Sequence, residues 1–141
     1  MNLKELKLAG GLIYMCEGTK LRQDLRYKNT FIYAIEFTNS NPKLVFLFVK
    51  FMKKILNIEP NKIKGQLFIY PDLDKKKVMD IWSSRTGVPI EQFQKIIMLK
   101  AKVSKFKHNP LGTFKVRYSS KEKFLKLQEI MDSIWRDARV V

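Results

Sequence analysis

Apolar and polar positions along the chain follow two alternating periods. Near the start, helical spacing places Gly10, Ile13 or Tyr14, and Glu17 along one face, with Ala9, Ile13 and Cys16 beside them. This predicts a helix over about residues 3–17, ended by Gly18 in the left-handed conformation. Residues 21–26 read as a short strand. Residues 31–37, rich in β-branched and aromatic side chains, read as a second, joined to it through a turn at Asn29. Asn41-Pro42 is a helix start, with an N-cap followed by proline in the first turn, and the helix runs to about Leu56. Residues 64–70 alternate as a strand. Asp72 or Asp74 then opens a helix carrying Val78, Ile81 and Trp82 to a stop at Gly87, and a helical turn follows over 89–93. Residues 97–103 and 113–118 read as strands around the loop Asn109-Pro110-Leu111-Gly112. A capping-box pattern, Ser119-x-x-Glu122, opens a last helix with the stripe Phe124, Leu127, Met131, Ile134 and Trp135.

The order is helix, two strands, helix, two strands, helix, with a short helical insertion between the third and fourth strands. It predicts an α+β fold in one domain, residues 1–141, with helices on one face of the sheet. On the last strand Phe114, Val116 and Tyr118 face the helices, which leaves Lys115 and Arg117 on the other side. Lys64 with Gln66, and Lys100 with Lys102, repeat the pattern.

Charge gives that second face a meaning. The 141 residues carry 28 Lys and Arg against 13 Asp and Glu, a formal net charge of +15. Such an excess attracts phosphate polymers through long-range field and counterion release. No acidic residue occurs between Gln92 and Lys121, whereas a merely soluble surface intersperses both signs. Double-stranded DNA is therefore the expected partner, read by a β-sheet face bearing Lys64, Gln66, Lys100, Lys102, Lys115 and Arg117, with Arg22 and Arg26 alongside.

Other chemistries find few residues. A single cysteine, Cys16, excludes an internal disulfide, fits a reducing cytoplasm and reads as a buried packing residue. One Cys and the lone loop residue His108 cannot build a zinc site. The most apolar segment, 44–56, is interrupted by lysines and too short for a bilayer, and the N-terminus lacks a secretory cleavage pattern. Trp82, Trp135, Tyr14 and Phe31 read as packing residues. Glu17 stands apart, because a carboxylate at a helix C-terminus opposes the helix dipole.

Residues 8–18, Leu-Ala-Gly-Gly-Leu-Ile-Tyr-Met-Cys-Glu-Gly, resemble the signature helix of the LAGLIDADG homing endonucleases, with Glu17-Gly18 in the place of the terminal acid and glycine. The likeness is closer to small single-motif LAGLIDADG-like proteins of archaea, bacteria and mobile elements. Their signature runs Leu-Tyr-x-x-Glu-Gly-x-Lys, then Phe-Thr-Asn-Ser and Gly-Thr-x-x-Val-Arg-Tyr. The corresponding pieces are Ile13-Tyr14-Met15-Cys16-Glu17-Gly18-Thr19-Lys20, Phe37-Thr38-Asn39-Ser40 and Gly112-Thr113-Phe114-Lys115-Val116-Arg117-Tyr118. The resemblance implies an αββαββα fold with a four-stranded antiparallel, saddle-shaped sheet over DNA. It also implies a homodimer whose signature helices pair through Ala9, Gly10, Ile13 and Cys16.

In that arrangement two Glu17 carboxylates would hold Mg²⁺ or Mn²⁺ for phosphodiester hydrolysis, with Lys20 and Lys95, or Lys100, stabilising the developing charge. The alternative is a non-cleaving DNA-binding or regulatory protein that keeps the fold and the dimer interface. A third reading, binding to single-stranded RNA loops, needs exposed aromatics, and most aromatics fall on expected core faces.

Overall fold

The computed structural model describes residues 1–100 and 109–139, and the statements below concern those residues. The elements run α1 (Leu3–Glu17), β1 (Arg22–Gln23), β2 (Phe31–Ile32), β3 (Ala34–Asn39), α2 (Pro42–Lys54), β4 (Lys64–Ile69), α3 (Lys75–Thr86), β5 (Ile97–Met98), β6 (Thr113–Ser119) and α4 (Lys121–Asp137), with short 3₁₀ turns at Pro60–Lys62 and Ile90–Gln92. The fold is α+β. Its main sheet has the order β3-β6-β4-β5, and β1 and β2 form a separate small ribbon.

That sheet is mixed, which corrects the all-antiparallel expectation. β6 pairs antiparallel with β3 and β4, but β5 runs parallel to β4, Phe68 opposite Ile97. The cause is the path of the chain: α3 lies between β4 and β5, so the strand returns from the same end, as parallel neighbours require. Phe93 bridges Gly65 in the same direction, with one more residue on its side than on β4 before the Phe68–Ile97 pair. This extra residue interrupts the strand as a bulge does. The expected strand over 21–26 is also reduced, to two residues on the ribbon. Residues 101–108 lie outside the described residues, so His108, Lys102 and the end of the expected strand over 97–103 receive no structural account.

The core sits on one face of the sheet. Ile35 and Phe37 from β3, Leu67 and Ile69 from β4, and Phe114 and Val116 from β6 are fully buried there against the helices. α2 supplies its inner face through Val45, Phe48, Val49, Phe51 and Met52, an i, i+3, i+4, i+7 stripe. Phe48 stacks on Tyr14 of α1 and on Phe37, with ring centroids 5.4 Å and 4.7 Å apart. Trp82 of α3 stacks on Phe114 at 5.0 Å, and its indole N–H donates to the Leu111 carbonyl at 2.7 Å.

Capping chemistry sets the helix ends. Asn2 and Glu5 form a reciprocal capping box at α1, Asn41 caps α2, and Asp74 caps α3. On α4 the cap is Ser120, whose side chain accepts from the Lys123 N–H, one residue later than the Ser119 pattern suggested. Gly87 ends α3 in the left-handed region as expected. Gly18 does not: its backbone is extended, and its lack of a side chain answers to the Tyr14 ring lying against it.

Candidate nucleic-acid interface

Alternation along the strands builds the face opposite the core. Glu36, Arg117 and Lys64 stand in one row across β3, β6 and β4; Thr38, Lys115 and Gln66 stand in the next. Thr113 and Phe68 follow, and the Lys115 ammonium lies 5.7 Å from the centre of the half-buried Phe68 ring. Of the sequence-derived candidates, Lys64, Gln66, Lys115 and Arg117 therefore do share one surface. Gln66 donates to the Lys95 carbonyl at 2.9 Å, which ties the loop carrying Lys95 to the edge of this face; the Lys95 and Lys100 residues are exposed.

The first row contains an acid that pattern reading passed over. The Glu36 carboxylate accepts from the Arg22 guanidinium at 2.8 Å and makes a short contact with that of Arg117. Its side chain is only 7% exposed, so the ion pairs matter: an unpaired carboxylate there would cost several kcal/mol. The signal in the sequence was the polar member of the alternating run Ile35-Glu36-Phe37. Arg22 thereby joins the ribbon to the sheet. On the ribbon, Asp24 accepts two hydrogen bonds from the Arg26 guanidinium, both at 3.0 Å, and one from the Arg26 backbone N–H at 3.1 Å. These bonds hold the Asp24 carboxyl below its ordinary range and raise Arg26.

The end of α1 lies beside the outer edge of β3, where Gly18 bridges Phe37 and the Thr19 N–H donates to the Glu36 carbonyl at 3.0 Å. Glu17 is exposed there. Lys20 turns back onto the helix end, its ammonium donating to the Tyr14 and Met15 carbonyls at 2.9 Å and 2.7 Å. It thereby serves as a C-terminal cation for α1. Mg²⁺ takes oxygen donors, commonly one or two carboxylates together with substrate phosphates. Glu17 is a donor of that class. Among the described residues no group of three or more His, Cys, Asp or Glu gathers to hold a metal, so one chain brings Glu17 alone.

The glycines of α1 point inward. A Cβ at Gly10 would overlap the Phe51 ring of α2, and one at Gly11 would lie 2.7 Å from Ile134 of α4. These positions let α1 seat itself between two helices of its own chain, so Gly10 does not belong to an outward face. The outward line is Leu8, Leu12 and Cys16, with Ala9 and Ile13 beside it; Leu8 and Leu12 are 48% and 41% exposed. Cys16 is exposed, contrary to the expectation of a buried thiol. Trp135 and Phe31 are likewise largely exposed, whereas Tyr14 and Trp82 are buried as expected.

Comparison of the chain with protein-family models, with curated proteins and with solved structures finds no match in any of the three. No helix of the described residues is long and apolar enough to cross a membrane.

Proposed function

We propose that this protein binds double-stranded DNA with the open face of its sheet, works as a homodimer, and hydrolyses phosphodiester bonds with a divalent metal. One observation carries the reading: Lys64, Gln66, Lys115 and Arg117 stand on a single solvent-facing surface in a chain of net charge +15. The lysines supply phosphate contacts, and Arg117 and Gln66 supply forked donors suited to base edges. Dimerisation follows from α1, whose outer line of Leu8, Leu12 and Cys16 is apolar although the opposite side of the helix already packs on the core. A second copy would cover it by the same patch on both subunits.

Such pairing would bring a second Glu17 to the first, completing the carboxylates that Mg²⁺ or Mn²⁺ uses beside phosphate oxygens. Bound there, the metal would supply Lewis-acid stabilisation of the phosphoryl group. The residues of the chain would fix its place, Glu17 by ligation and Lys20 by balancing charge at the helix end. The non-cleaving alternative is favoured by one observation, that the Lys20 ammonium is already engaged by two backbone carbonyls.

The test joins binding and cleavage. Lys115→Gln with Arg117→Gln is expected to weaken duplex binding and to lower the slope of log affinity against log salt by about 2, at ~0.9 per phosphate contact. An unchanged slope would remove the sheet face from the reading. Loss of plasmid cutting in Glu17→Gln, with binding retained, supports the nuclease. A dimer that binds without cutting under either metal supports the alternative.

A further inference from the structure

Arginine is scarce in this chain, six residues against 22 lysines, yet three of the six, Arg22, Arg26 and Arg117, lie on the open face and its ribbon. All three are held by carboxylates, Arg22 and Arg117 by Glu36 and Arg26 by Asp24. Lys64 and Lys115, on the same face, form no ion pair among the described residues. A surface built only to attract phosphate gains nothing from carboxylates set among its cations, because each cancels a charge. What a carboxylate does provide is direction. A guanidinium gripped along one edge keeps its remaining N–H groups in a fixed plane, and the side chain no longer has to be ordered when it binds.

The grip leaves the arginines reachable. The side chains of Arg22, Arg26 and Arg117 are 45%, 78% and 31% exposed, while those of Glu36 and Asp24 are 7% and 10% exposed. Each carboxylate is thus sunk in the surface with the fork standing above it. A fixed guanidinium fork matches the paired acceptors O6 and N7 of guanine in the major groove, the commonest specific arginine contact to DNA.

Resting on the reading of this face as a DNA surface, we propose that Glu36 and Asp24 are positioning residues that set Arg22, Arg117 and Arg26 as guanine readers, leaving phosphate attraction to the lysines. The division of labour gives the face a preference for guanine at fixed spacing.

Selection from duplexes with a randomised central segment tests it. The wild-type chain is expected to enrich guanine at fixed positions, by at least about fivefold at each contacted base pair. Glu36→Gln removes a negative charge and loosens two forks, so it is expected to retain more of the unselected pool while losing enrichment at two positions. Asp24→Asn is expected to do the same at one. Arg117→Lys keeps the charge and removes the fork; it is expected to leave the salt slope unchanged and abolish one guanine position, and it decides the matter if Glu36→Gln does not fold. Binding by wild type without fixed guanines, or enrichment unaltered in Arg117→Lys, would overturn the proposal while the DNA-binding reading stood. Failure of wild type to retain any duplex at low salt would overturn both.

Discussion

Tyr14 shows how much one side chain can carry. Its ring packs under Phe48 and against Gly18, while its hydroxyl donates to the Thr19 carbonyl at 2.5 Å and accepts from the Glu36 N–H at 3.3 Å. Burial pushes the phenol up to about 12 from its usual 10. Because the folded value lies above the unfolded one, the neutral phenol contributes stability that is fully present below pH 10 and is lost as pH rises from 10 through 12. Two units correspond to about 2 to 3 kcal/mol. Denaturant midpoints across that window are expected to fall more steeply for wild type than for Tyr14→Phe, which gives up roughly 1 to 2 kcal/mol at neutral pH by stranding the Glu36 N–H. Parallel pH profiles for the two chains would refute the assignment. Gly10 offers a second test, since alanine gains about 1 kcal/mol of helix propensity but collides with Phe51. The collision is expected to win, with Gly10→Ala melting at lower temperature by a net loss on the order of 1 to 3 kcal/mol. A higher melting temperature would mean that α1 can move off α2.

At the level of elements, α1 is the one with two apolar sides. Its inner side, Leu6, Gly10, Gly11 and Tyr14, is buried, and the outer line ends at Cys16. Since Cys16 is the single cysteine, mild oxidation is expected to yield a disulfide-linked dimer and no larger species, with loss of the product in Leu12→Lys. A chain that stays monomeric by gel electrophoresis and light scattering would leave the outer line without its partner. The four helices were legible because their apolar stripes are long and their caps conventional; the Ser119 reading missed by one residue because two adjacent serines offer the same chemistry. Strand direction was less legible. Alternation tells which side chains share a face but carries no sign for parallel or antiparallel pairing. Here the sign came from the crossover through α3, whose twelve residues separate two strands that end as neighbours. The inward use of Gly10 and Gly11 was hidden for a related reason: small residues announce a close approach without saying to what.

Over the whole molecule, the basic face was readable because period-2 alternation fixes it locally, residue by residue. The carboxylates within it were not, since Glu36 meets Arg117 across 81 positions of sequence and only strand pairing joins them. Those same bonds have a mechanical consequence. The backbone of Glu36 is tied to the tip of α1 through Thr19 and Tyr14, and its side chain is tied to two arginines of the open face. One residue is thus a rivet between the turn that bears Glu17 and the surface that would lie on a duplex, with no hinge between them. The offset from a recognised base pair to a severed bond would then be a dimension of the fold, constant from one target to the next, as in a gauge block.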